Sequence, residues 1–600
     1  MCAGSLFGHV YKLYPLPASL SRRCDRLMWS CRGVIVFNLE ETLMIPVYCI
    51  NIGEEIHVEG GLQLMQLAVR LADRLPFTPI CAHVNNKTEN LSYCIYAPKQ
   101  IEFLDAGTPV GCRVYVRSLC MLLYRAVREV VPAARLRIEH SVSGGYLCNL
   151  FDSDGRQIIP DAAMIDSLLS VMRSLVERNL PFYFKEAPTE QVTDIFRAQG
   201  LDSKVRLLAS RGELYTSYYT LDGVADSYYS ALAPTTGFIR IFDLRLYHEG
   251  FLLLGPDPVN KDVPRQPVTQ EKMFEAYKKH LLFNRTIKVS DVGELNHAIQ
   301  CRHTAELINV AEAMHESFLS DIASDIARRN RDGGGRVVLL AGPSSSGKTT
   351  TTKRLAVQLM TKLKTPKMIS LDDYFLDRAA TPLDESGDYD YESLYALDLE
   401  RLNSDLRDLL AGRRINLPTY SFEFGERVER ERPLELEPDD VLLIEGIHGL
   451  NPELTGTLPS DDIYKVYVSA LTSLSIDDHN WISTTDNRLL RRIVRDHKYR
   501  HTSALDTLRR WPSVRRGEEK WIFPFQENAD ATFNSSLIFE LGVMKNYAEP
   551  LLRQVPHNNP LYGEAYRMLK LLGYFEPIPA DQIPPTSLLR EFLGGSSFHY

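Results

Sequence analysis

Residues 336 to 360 write a strand, a glycine-bounded loop and a helix in immediate succession, and no other stretch restricts the fold as tightly. Arg336 to Ala341 (RVVLLA) is an apolar run of buried-strand type, and Thr350 to Met360 carries a helical period. Between them stands Gly342-Pro343-Ser344-Ser345-Ser346-Gly347-Lys348-Thr349, a match to G-x-x-x-x-G-K-S/T in the context that motif requires. Glycines and small serines let consecutive backbone N–H groups turn toward one anion, and the helix adds the positive end of its dipole. Gly342 to Thr350 are therefore the candidate triphosphate-binding residues. Lys348 supplies a point charge for the β and γ phosphates, and the Thr349 hydroxyl is a ligand for magnesium.

The text after Asp332-Gly333-Gly334-Gly335 alternates strands with helices, the signature of a parallel α/β sheet. Lys367 to Leu371 delivers Asp372, Asp373 and Tyr374 at its end, and Val441 to Ile444 closes on Glu445-Gly446. Ile463 to Val468 and Ser536 to Leu541 complete five strands. Ligands of open α/β sheets sit at the carboxyl ends of the strands. Asp372 is thus the candidate base that orients and deprotonates an acceptor hydroxyl, whereas Asp373 reads as a turn cap. Glu445 has the Walker-B placement suited to magnesium. No guanine-reading N-K-x-D follows the loop, and Asp384-Glu385-Ser386-Gly387 reads as a turn, so a kinase fits better than a GTPase switch. Arginines crowd the stretch from Arg488 to Arg516. Arg488, Arg492 and Arg495 share one helical face, which reads either as a solvated or nucleic-acid-binding surface or as a lid over the triphosphate. The lid is the preferred reading for Arg492 and Arg495.

Taken together, the words GPSSSGKT, ISLDDYF, YDYESLYALD, LPTYSFEFGER, LLIEGIHGL and NRLLRRIVRD resemble the uridine kinase and phosphoribulokinase family over roughly residues 336 to 545. The resemblance implies ATP and Mg²⁺ as cofactors, Asp372 as catalytic base, Glu445 assisting magnesium alongside Thr349 and Asp372, and Arg492 and Arg495 as lid arginines. It also implies that Tyr389 and Asp390 line the acceptor pocket and that Tyr420 and Phe422 contact a nucleobase. Two positions depart from the pattern. Gly425 stands where uridine kinases carry a base-reading histidine, and Phe375 stands where a tyrosine is expected, with Tyr374 shifted by one.

Six hundred residues predict several domains, and a net charge of −9 gives no global basic footprint for nucleic acid. The ten cysteines all lie at or before Cys301, with no zinc-type spacing, so a reducing cytosol is the simplest setting; no stretch is apolar enough to span a membrane. Residues 1–43 read as a poorly patterned extension, with Met44 as a possible start, and 44–105 as short strands around one helix at Leu62 to Leu75. Residues 106–260 mix helices and strands, 261–332 are a mostly helical connector, 333–560 hold the phosphate-loop domain, and 561–600 form a C-terminal tail. EHSVSGGYLCNL (Glu139 to Leu150) and APTTGFIRIFDL (Ala233 to Leu244) resemble the front of threonyl-tRNA synthetases. That resemblance implies a TGS-like β-grasp module over 44–105 and an α+β editing-like domain over 106–260. The family's four metal-type editing ligands correspond to Met121, Arg125, Tyr228 and Leu232, so the fold is expected without its chemistry.

The expected fold class is therefore multidomain α/β and α+β, with a P-loop NTPase parallel sheet flanked by helices at its catalytic end. The expected activity is transfer of the ATP γ-phosphoryl to the 5′-hydroxyl of a nucleoside. Another sugar-like acceptor, or an RNA- or ribosome-associated ATP-binding regulator, stays open as an alternative, as does assembly with a second copy.

Overall fold

The structure is a computed structural model that describes residues 44–384, 387–421, 424–428, 430–456 and 458–599. The expectations for residues 1–43 and for Phe422 lie outside the described residues.

Strands Met44–Cys49, Glu54–Glu59, Cys81–Val84, Lys87–Glu89 and Lys99–Leu104 make one mixed sheet in which Met44–Cys49 and Lys99–Leu104 run parallel side by side. Alternation along the first strand buries Ile45, Val47 and Cys49 on one face, and the helix Leu64–Arg70 covers it with Leu64 and Leu67. This is the β-grasp arrangement. The helix read over Leu62 to Leu75 is shorter, a two-turn helix followed by a single 3₁₀ turn at Ala72–Arg74.

The next core is built on the helix Pro109–Val130. The Thr108 hydroxyl accepts from Gly111 N at 3.0 Å and proline occupies the first turn, a strong start signal. Its residues Leu119 to Leu123 are wholly buried between an antiparallel sheet (Arg135–Val142, Gly145–Phe151, Gln157–Ile158, Asp243–Tyr247, Gly250–Leu254) and a three-stranded sheet (Tyr183–Pro188, Tyr215–Leu221, Val224–Asp226). Met121 and Leu232 lie inside this apolar core, and Arg125 pairs with Asp222 at 2.9 Å. Three consecutive helices follow, Glu271–Thr286, Val292–Gln300 and Thr304–Arg331.

The second half centres on five parallel strands: β1 (Val337–Ala341), β2 (Thr365–Ser370), β3 (Asp440–Glu445), β4 (Ile463–Ser469) and β5 (Ala531–Asn534), in the spatial order β2-β3-β1-β4-β5. Every residue of β1 is buried, as a central strand covered on both faces requires. The fifth strand is not the Ser536 to Leu541 run. That run turns into the helix Glu540–Leu552, and the Glu540 carboxylate accepts from Leu537 N at 2.8 Å at its entry. Six apolar-rich residues without a period fit a strand and a helix start equally well.

Residues 561–600, read as a tail, carry the helix Tyr562–Leu572 and a closing segment in which Leu588, Leu589 and Phe592 are fully buried. The front and back halves are joined by a buried charge cluster: Lys204 Nζ lies 2.8 Å from Asp226 and 2.9 Å from Asp477, and His479 Nδ1 lies 2.8 Å from Asp226. No helix among the described residues is long and apolar enough to cross a membrane.

Candidate active site

The loop between β1 and the helix α1 (Lys348–Thr361) is built for close packing. A Cβ on Gly342 would stand 2.0 Å from Val468 O, and Gly347 has φ +85° with Leu588 against its Cα. Ser345 also takes a positive φ of 58°, which turns neighbouring N–H groups toward one concavity. Lys348 folds back over the loop and donates to Pro343 O at 3.2 Å. Its ammonium is shifted down by burial, against the opposing pull of Glu445 and Asp372.

Glu445, at the end of β3, accepts from Ser370 Oγ at 3.0 Å and from Thr349 Oγ1 at 3.4 Å. Burial and then the Asp372 charge push its carboxyl up to about 7, with Lys348 and Ser370 opposing. Asp372 lies in the 3₁₀ turn Leu371–Tyr374 just after β2 and is reached by solvent, yet the crowded cleft around it raises its carboxyl; Lys348, Arg500 and Arg495 pull the other way. The structure thus gathers Lys348, Thr349, Asp372 and Glu445 at the carboxyl ends of three adjacent strands. Oxygen donors only, one hydroxyl and two carboxylates, suit a hard cation that keeps water and phosphate ligands, as Mg²⁺ does. Asp373 instead accepts from Arg432 at 2.9 Å.

The arginines divide sharply. Arg488, Arg491, Arg492 and Arg495 sit on the helix α2 (Thr484–Arg500). Arg492 donates to Ser344 Oγ at 2.9 Å and to Asp496 at 3.2 Å, and Arg495 lies 3.6 Å from Asp496. Arg488 and Arg491 are not solvated at all. Arg488 donates to Ser344 O at 2.9 Å and pairs with Glu518; Arg491 donates to Glu540 and to Ser535 O at 2.9 Å, and reaches the Ser345 and Ser346 carbonyls at 3.4 Å. They bond the outside of the phosphate loop and hold its N–H groups facing inward. Sequence reasoning left these two with the surface arginines because their partners lie 30 and 49 residues away.

The acceptor-side residues are spread over a separate loop. Tyr389 is exposed and packs 6.1 Å from Tyr391, while Asp390 Oδ1 accepts from Glu392 N at 3.1 Å. Glu392 connects this loop to the phosphate site: burial raises its carboxyl, opposed by Arg492 and Lys348. Tyr420 is buried against Phe375 with centroids 5.6 Å apart, a core position. Tyr374 is wholly buried and donates to Asp405 at 3.0 Å. A Cβ on Gly425 would lie 2.6 Å from Arg378 Nε, so an arginine fills the space beside the missing histidine.

Residues 337–537 match the model of the Phosphoribulokinase / Uridine kinase family. The threonine–tRNA ligases of Francisella tularensis subsp. novicida and subsp. tularensis are each 22% identical over 186 residues, which is 31% of this chain and 29% of theirs. The chain therefore spans less than a third of the length of these curated relatives. Among solved structures, a possible uridine kinase from Bacillus stearothermophilus aligns at TM-score 0.23 and 21% identity, covering 34% of this chain and 89% of its own. The D-glycerate 3-kinase from Cryptococcus neoformans var. grubii aligns at TM-score 0.20 and 16% identity, covering 47% and 89%. Residues 337–537 form a P-loop kinase domain of the phosphoribulokinase/uridine kinase family, carried behind an N-terminal half that is similar to threonine–tRNA ligase.

Proposed function

We propose that this protein transfers the γ-phosphoryl group of ATP to the 5′-hydroxyl of a nucleoside, releasing ADP and the nucleoside 5′-monophosphate. The observation that carries this reading is the meeting of Lys348, Thr349, Asp372 and Glu445 at the carboxyl end of the sheet, beside Arg492 on Ser344. Asp372 takes the proton of the attacking hydroxyl, and solvent access lets it return that proton afterwards. Lys348, Arg492 and Arg495 neutralise charge that spreads over the transferred phosphoryl, which is most of what such catalysis needs. Thr349 and Glu445 hold Mg²⁺, which when bound supplies further charge neutralisation on the phosphates. Incubating the protein with ATP, Mg²⁺ and a panel of nucleosides tests the class: no monophosphate from any nucleoside rejects it.

One observation favours a second acceptor. Arg378 projects beside Gly425 and bonds Tyr391 OH at 3.3 Å. A guanidinium there suits a sugar phosphate better than an uncharged base. Transfer to a sugar phosphate and to no nucleoside, lost in Arg378→Ala, decides for it.

A further inference from the structure

Thr350 closes the set of residues that receive phosphate, and in the structure it already holds an anion. Its backbone N–H and its hydroxyl both donate to the same carboxylate oxygen of Glu591, at 3.3 Å and 2.6 Å. Glu591 stands 241 residues further along the chain, and both residues are buried, Thr350 at 0% and Glu591 at 8% exposure. A carboxylate taking two donors at a helix N-terminus does there what a phosphate oxygen does.

The segment that brings Glu591 is clamped on every side. Leu588 packs so tightly on Gly347 that an added Cβ would come within 2.8 Å of it. Phe592 lies under the Arg491 guanidinium, Lys498 Nζ donates to Leu593 O at 2.6 Å, and Arg590 donates to Ala580 O at 2.9 Å. With Leu588, Leu589 and Phe592 fully buried, displacing the whole segment would expose three apolar side chains, whereas turning the glutamate side chain exposes none of them. The backbone is fixed, and the carboxylate is the part that can move.

Resting on the reading of residues 342–350 as the nucleotide site, we propose that Glu591 is a built-in competitor for the nucleotide's phosphate chain. It engages the Thr350 N–H and hydroxyl, and must leave them before a nucleoside triphosphate seats fully. Glu591 thereby sets nucleotide affinity, at a position far in sequence from the loop it controls.

The test measures ADP and ATP binding by calorimetry to the full-length chain and its Glu591→Gln and Glu591→Ala variants, alongside thermal unfolding of the empty proteins. Glutamine keeps the size and removes the charge. Binding about tenfold or more tighter in both variants, with lower thermal stability of the empty protein, is the expected result. Wild-type binding that stays equal or weakens in the variants overturns the competitor role and leaves the nucleotide site standing. Absence of binding in all three proteins overturns both. A crystal structure of the wild-type protein with ADP gives a second measurement that needs no variant. The Glu591 carboxylate beyond about 3.5 Å from Thr350 Oγ1 and N supports the proposal, and a carboxylate still bonded there refutes it.

Discussion

Replacing Lys204 with methionine removes a buried cation shared by the two halves of the molecule. Lys204 and its partners Asp226 and Asp477 have side chains no more than 2% exposed, with Nζ 2.8 Å and 2.9 Å from the two carboxylates. Methionine fills nearly the same space without charge, so two carboxylates lose their counter-ion at once. Breaking a buried pair costs about 3–5 kcal/mol. Here His479 still contacts Asp226 at 2.8 Å and Asn480 still donates to Asp477 at 2.8 Å, so the expected loss lies near the lower end, about 3 kcal/mol. Guanidinium unfolding followed by circular dichroism and by tryptophan fluorescence measures it. Burial works against ionisation of Asp226, but Lys204 and His479 overcome it and hold the carboxyl below its ordinary value. The stability this contributes is complete above the unfolded carboxyl's pKa and is lost as pH falls through the folded value, so wild type and variant should begin to converge only as pH falls below about 4 and meet in stronger acid. Lys204 is itself raised: burial pulls it down and the two aspartates more than compensate, so its share is lost only in strong alkali. Adding Asp477→Asn to Lys204→Met should recover part of the loss, because one uncompensated charge is gone. A loss under about 1 kcal/mol, or a double variant weaker than the single, refutes the account of the joint.

Asp372→Asn should lower turnover by about 10²–10⁴-fold with nucleotide affinity unchanged, measured by steady-state assay and calorimetry. Because the Glu445 carboxyl is pushed up to about 7, protons compete with Mg²⁺. Apparent Mg²⁺ affinity should fall as pH drops through that value, and Glu445→Gln should flatten the dependence in a Mg²⁺ titration. The same raised carboxyl makes the metal-free protein less stable as pH rises from the ordinary carboxylate range through about 7, seen in melting temperature. Gly342→Ala drives a Cβ into Val468 O at 2.0 Å and should cost about 2 kcal/mol or more along with nucleotide binding, read by denaturation and calorimetry. Arg491→Met strands a buried Glu540 and releases the Ser345 and Ser346 carbonyls, so a loss of about 3–5 kcal/mol should accompany weakened nucleotide binding.

What could be read from the residues alone was whatever local order encodes. The loop, α1 and the strands that deliver Asp372 and Glu445 are legible because each acid ends an apolar run. The fifth strand lies at Ala531–Asn534, a few residues before Ser536 to Leu541, a run that carries no period; its one telling residue is Glu540, a charge inside an apolar run and the partner of Arg491. Arg488 and Arg491 share a helix with surface arginines, so only long-range packing separates them. Glu591 is the extreme case, since nothing near it in sequence hints at a phosphate loop. Tyr374 and Phe375 exchange the expected order because Tyr374 is needed in the core, where its hydroxyl meets Asp405.

The contacts of α2 bear on whether it can act as a swinging lid. At its start, Asp486 takes two bonds from Arg567, at 2.6 Å and 2.8 Å, and Thr484 Oγ1 lies 2.9 Å from His140 of the front half. At its other end Lys498 is tied to Leu593 O, and along its middle Arg488 and Arg491 are buried against the loop itself. Swinging such a helix would strand Glu540 as an uncompensated buried charge, a cost of about 3–5 kcal/mol, and would leave Glu518 with Arg515 as its remaining cation. These contacts hold α2 against the phosphate loop, with Arg492 on Ser344 Oγ at 2.9 Å and Arg495 beside Asp496 at 3.6 Å. The front half meets these elements through His140 and the Lys204 joint, so it packs directly against the helix whose arginines bond the phosphate loop.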